Sequence, residues 1–134
     1  MSLFSIFDVS SSAMAAQTLR LNATASNMAN ADSVATKPED AYKAREPVFS
    51  QVLEQNGGGV GVRALGITQS NAPNPALYQP GNPLANKEGY VYGSNVNPVE
   101  EMVNMLSASR SYQTNVQVMD TAKNLALRTL QLGQ

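Results

Sequence analysis

Asn97-Pro98-Val99-Glu100-Glu101-Met102-Val103-Asn104-Met105-Leu106 opens the stretch whose reading decides the fold, and after Pro98 no proline or glycine interrupts the chain until Gly133. Asn97 has the short amide that caps a helix start, Pro98 already holds the φ of a first helical residue, and Glu100 stands where it can reach back. Gly133 suits a helix end. Met102, Met105, Tyr112, Val116, Met119, Ala126 and Leu130 recur at alternating spacings of a coiled-coil seam. Val118, Leu125 and Leu132 recur at sevens on another face, while Leu106 and Leu127 lie on a third line. A helix apolar on several faces requires several neighbours.

Working outward, the other end of the chain reads the same way. Residues 5–30 contain neither glycine nor proline, and Leu3, Phe7, Met14, Leu21 and Met28 follow heptad spacing. Ala13, Ala16 and Ala23 make a second face small enough for close approach of another helix, and Asn30 is a candidate C-terminal cap. Between the ends, residues 32–40 read as loop. Residues 42–53 and 60–67 are β-like about the glycine turn at Asn56-Gly57-Gly58-Gly59, predicting a hairpin. Asn71 to Pro83 holds four of the seven prolines, predicting extended chain, and Gly89-Tyr90-Val91-Tyr92 offers one more short strand. The prediction is a mainly α protein with a small β insert: an N-terminal helix over 1–31, a β/loop insert over 32–96 with hairpin and extended segments, and a C-terminal helix over 97–134.

The 134 residues are only 14% charged with net charge −1, against about 25% charged in ordinary globular chains. So little charge points to surface covered by neighbours, and gives no electrostatic reason to expect nucleic acid as a partner. No run reaches the ~18 apolar residues of a membrane span, and Met1 to Val9 lacks the basic start of a cleaved signal. Histidine and cysteine are absent, which removes the commonest general base and metal ligand and the thiol nucleophile. Gly57-Gly58-Gly59 lacks the Lys-Ser/Thr continuation of a phosphate loop. No catalytic, cofactor or metal residue is therefore expected, and an enzyme is not.

Longer motifs are distinctive. Ala15-Ala16-Gln17 with Arg20-Leu21-Asn22, then Ala25-Ser26-Asn27-Met28-Ala29-Asn30-Ala31, resembles the N-terminal signature of bacterial flagellar rod and hook proteins. Asn95-Val96-Asn97, Glu101-Met102-Val103 and Ala108-Ser109-Arg110-Ser111-Tyr112-Gln113-Thr114-Asn115 resemble their C-terminal signature. Tyr78-Gln79-Pro80-Gly81-Asn82-Pro83 and Glu88-Gly89-Tyr90-Val91 are similar to the proximal-rod branch.

The resemblance implies end helices paired as an antiparallel coiled coil that forms the inner wall of a tube, with the middle segment outside. It implies export through the flagellar type III apparatus without a cleaved signal, and a periplasmic place in the basal-body rod. The implied partners are copies of the chain itself, other proximal-rod proteins, the rod–ring adaptor and distal-rod subunits, with no membrane insertion. The expected subunit contacts are the seam residues Met14, Leu21, Met28, Met102, Met105, Tyr112, Val116, Met119 and Leu130. The amides of Asn22, Asn27, Asn30, Gln113 and Asn115 are candidates for bonds that fix register. A companion proximal-rod subunit and a soluble helical export adaptor are the competing readings.

Overall fold

A computed structural model describes residues 3–53 and 60–133. In chain order the elements are α1 (Leu3–Ala29), β1 (Val34–Ala35), β2 (Arg45–Leu53), β3 (Val60–Gln69), β4 (Ala76–Tyr78), β5 (Tyr90–Gly93) and α2 (Pro98–Leu132). The protein is mainly helical with a small β part. The glycine turn at 56–59 lies outside the described residues.

Local chemistry explains the helix ends. The Oδ1 of Asn97 accepts from the backbone N–H groups of Val99 at 3.1 Å and Glu100 at 3.5 Å, and the Asn97 carbonyl accepts the first intrahelical bond from Glu101. This is the expected cap, relieving the orphan donors of the first turn. At the end of α1, Asn30 Nδ2 donates to the Ser26 carbonyl at 2.8 Å, which also accepts the Asn30 N–H at 3.2 Å.

By its contacts the chain divides into two compact units. One comprises Met1–Leu21, Pro47–Gly66 and Leu106–Gln134, the other Asn22–Glu46 and Ile67–Met105. In the first, the Ser12 hydroxyl donates to the Val9 carbonyl at 2.8 Å and accepts from the Val62 N–H at 3.2 Å, tying β3 to α1. A Cβ on Gly61 would stand 3.3 Å from that hydroxyl oxygen, so glycine permits the approach. β2 and β3 pair as a two-stranded sheet, as the two β-like runs predict.

The second unit holds an antiparallel sheet ordered β1-β5-β4, with Val34 opposite Gly93 and Leu77 opposite Val91. Val91 on the central strand is fully buried. Sequence reading leaves 32–40 as loop, and β1 falls inside it: two residues carry no periodicity, and pairing with β5 alone makes them a strand. The proline-rich stretch is extended only at first. After β4 the chain turns, with the Asn82 N–H on the Gln79 carbonyl and the Leu84 N–H on the Asn82 Oδ1. Asn82 supplies a local acceptor that competes with extended backbone.

The loop back to β5 depends on Gly89. Its φ is +84°, and a Cβ there would lie 2.9 Å from the Tyr78 ring and 3.3 Å from the Pro80 Cβ. Gly89→Ala is expected to cost about 1–2 kcal/mol from the left-handed backbone alone, with the ring contact adding to it. Urea denaturation of the purified chain measures it; an unchanged midpoint would mean that the loop relaxes freely.

Candidate functional site

The described residues contain no group of three or more His, Cys, Asp or Glu placed to hold a metal ion, and no described helix is long and apolar enough to cross a membrane. A cleft of about 200 Å³ in the first unit is lined by Asp8, Val9, Ser12, Val52, Gly61, Val62 and Arg63. Ser12 there is already engaged with backbone. The features that stand out are instead the surfaces of the two helices and an asparagine network at the end of α1.

In α2 the fully buried residues are Ala108 and Ala122. With part-buried Asn104, Ser111, Asn115, Met119 and Ala126 they form one line along the helix, at spacings of three and four. Large apolar side chains face elsewhere: Val103 is 62% exposed, Leu106 63% and Leu130 70%. In α1 the buried positions are likewise small, namely Ser5, Ser10, Ala16, Ala23, Thr24 and Asn27, while Phe7, Met14, Leu21 and Met28 are half-buried. The inward side of each helix is thus its small-residue line, which the sequence reading offers as a second face in α1 and does not offer in α2. Among the expected contact residues of α2, Met105 and Met119 are half-buried, whereas Met102, Tyr112, Val116 and Leu130 are exposed. The apolar surface that would ordinarily form a core is left available.

The amides separate in the same manner. Asn22 and Gln113 are exposed, and Asn115 Nδ2 donates to the Ser111 carbonyl one turn back at 2.9 Å. Asn27 is only 1% exposed and fully engaged within the chain. Its Nδ2 donates to the Arg45 carbonyl at 3.0 Å and to Glu101 Oε1 at 3.1 Å. Its Oδ1 accepts from the Arg45 N–H at 2.8 Å and the Tyr42 hydroxyl at 3.0 Å. Both amide hydrogens and both acceptor sites are used, as a buried amide requires. The last turn of α1 is thereby joined to the 42–45 segment and to the first turn of α2. The Arg45 guanidinium also stands 5.9 Å from the centre of the Tyr42 ring.

Two further asparagines do similar work. Asn95 Oδ1 accepts from the Ala44 N–H, and its Nδ2 donates to the carbonyls of Ser70 and Ala72. Asn74 Nδ2 donates to the carbonyls of Tyr42 and Gly93 at 2.9 and 2.8 Å. Neither stood out as a site in the sequence, since polar residues in loops are ordinary. Gln17 Oε1, in the N-terminal signature, is buried without a hydrogen-bond partner among the described residues.

These features lie on segments shared with known proteins. Residues 7–35 match the family model described as flagella basal body rod protein, and residues 87–132 match that of the flagellar basal body rod FlgEFG protein C-terminal region. The chain is 51% identical to the flagellar basal-body rod protein FlgC of Yersinia enterocolitica over 134 residues, covering all of both chains. It is 48% identical to that of Salmonella typhimurium over the same length and coverage. It is 38% identical to that of Buchnera aphidicola subsp. Baizongia pistaciae, again across the whole of both. With end-to-end identity at this level, and with α2 and most of α1 inside the matched segments, the chain belongs to the flagellar basal-body rod protein family.

Proposed function

We propose that this chain is a structural subunit of the proximal rod of the bacterial flagellar basal body, a link in the drive shaft that carries torque toward the distal rod and hook. The observation that carries the reading is the surface of α2: its small residues are turned inward, and most of its large apolar residues outward. Isolated exposed leucines are ordinary, but rows of them along a whole helix mark an interaction surface. The relatives' name as rod proteins supplies the assembly. In this reading residues 1–31 and 97–134 form the inner, tube-lining part and 32–96 the outer part.

The end helices pair antiparallel along their alanine lines, close enough for backbone approach. Met14, Leu21, Met28, Met102, Met105, Tyr112, Val116 and Leu130 are then left for neighbours, with Asn22 and Gln113 available to fix register, while Met119 lies on the alanine line itself. Those neighbours are other copies, other proximal-rod proteins, the rod–ring adaptor and distal-rod subunits. The chain reaches the periplasmic rod through the type III export apparatus, and its work is mechanical, with no reaction to catalyse.

Two measurements test this. Hook–basal bodies purified from cells carrying an epitope-tagged chain should contain the tag; its absence would sink the reading. Met119→Asp places a charge at a half-buried position beside the buried Ala122, where desolvation without a partner is costly. Cells with only that variant should spread in soft agar no further than a non-motile strain. Normal spreading would remove Met119 from the packing.

A further inference from the structure

Among the described residues, Gln17 Oε1 is the one buried side-chain polar atom without a hydrogen-bond partner. Covered amides elsewhere are satisfied: Asn27 uses every position of its amide, and Asn74 and Asn95 bond to backbone. An acceptor covered without a donor gives up its bond to water and gains nothing in return. Leucine or methionine would avoid that cost at nearly the same helix propensity. Folding of the lone chain therefore gives no reason for an amide at position 17.

Its place on α1 supplies one. Ser10 and Thr24, seven residues to either side, are buried, as is the adjacent Ala16, so one flank of Gln17 belongs to the inward line. Met14 and Leu21, three residues before it and four after, are half-buried and share its other flank. Gln17 as a whole is only part-buried although its oxygen is covered. The amide thus stands on the border between the packed side of the helix and the row left for neighbours. Its last torsion is soft, so a rotation that leaves the backbone in place turns the oxygen toward the open side.

We propose that Gln17 withholds its hydrogen bond in the lone chain and completes it in the assembled rod, where a subunit packing on Met14 and Leu21 presents an N–H or O–H donor. The residue then lowers the stability of the free chain and raises that of the incorporated one, a bias toward assembly carried by a single side chain. This rests on the rod reading and adds to it a residue whose effects on folding and on assembly have opposite signs.

Gln17→Met and Gln17→Leu test both halves. In urea denaturation of the purified chains, the better-fitting of the two should raise the folding constant about tenfold, as expected when a buried unpaired acceptor is removed. Each variant is then co-expressed with the parent under a different epitope tag, and the ratio of the tags is compared between whole cells and isolated hook–basal bodies. Incorporation of the variant should fall about two- to tenfold, the effect of one lost hydrogen bond. Movement in opposite directions is the decisive readout, because damage to packing would lower both quantities. Midpoints unchanged or lowered in both variants would overturn the proposal, since the oxygen would then cost the lone chain nothing. A stabilised variant that incorporates as well as the parent would overturn it too, while leaving the rod reading intact. If the parent itself is absent from basal bodies, the rod reading fails and the assembly half falls with it, whereas the urea midpoint still decides whether the oxygen is unpaired.

Discussion

Asn27→Asp is expected to cost about 3–5 kcal/mol of folding stability, the range for breaking a buried, fully bonded polar group and leaving a charge behind. The side chain keeps its shape, so packing is conserved and the effect is one of hydrogen-bond polarity. The amide now donates to the Arg45 carbonyl at 3.0 Å and to Glu101 Oε1 at 3.1 Å. A carboxylate would set acceptor against acceptor at both contacts, and negative charge against negative charge at Glu101. Tyr42→Phe removes one of the four Asn27 bonds and the hydroxyl's 3.1 Å bond with Ser26 Oγ, and should cost about 1–2 kcal/mol. Urea denaturation of the purified chains, followed by circular dichroism, gives both values. Equal midpoints for Asn27→Asp and the parent would show that the network holds nothing together. Spreading in soft agar should fail for the Asp variant and survive in the Phe variant.

A second large effect separates folding from assembly on neighbouring positions of one helix. Ala108→Leu adds three carbons at a residue with 0% exposure, while leaving helix propensity nearly unchanged. Overpacking of this kind costs about 1–3 kcal/mol, and here the obstruction falls on the line along which α2 packs. Leu106→Ala, two residues away and 63% exposed, should change stability by less than about 0.5 kcal/mol yet weaken docking on the outward face. The expected pattern is a lowered urea midpoint for Ala108→Leu, an unchanged midpoint for Leu106→Ala, and reduced swimming in both. A stable Ala108→Leu chain would mean that the alanine line is not a close contact. A freely swimming Leu106→Ala strain would show that the exposed leucine has no partner.

The two helices were legible because their signals are local. Asn97 caps, Pro98 starts, Gly133 follows the end, and neither glycine nor proline interrupts the middle. The amide at Asn30 and the strand at 90–93 were read for the same reason, each being decided within a few residues. The family could be recognised from the motifs flanking the insert, since those runs are long and occur in order.

Which helix face turns inward was not legible. Heptad counting ranked Met102, Tyr112, Val116 and Leu130 ahead of Ala108 and Ala122, because periodicity weights side-chain size. A chain that keeps its large apolar residues for neighbours and packs on its small ones inverts that weighting. The long-range bonds of Asn27, Asn74 and Asn95 were hidden for a different reason, since their partners are mostly backbone groups far along the chain, which carry no residue code. The sequence by itself determined where helix begins and ends, where the chain must bend, and which family it belongs to, because caps, ring constraints and signatures act over a few covalent neighbours. Tertiary structure alone decided that alanine faces inward and leucine outward, that Val34–Ala35 is a strand, and that one asparagine joins three segments. Each of those outcomes depends on which distant group supplies the contact or the missing hydrogen bond.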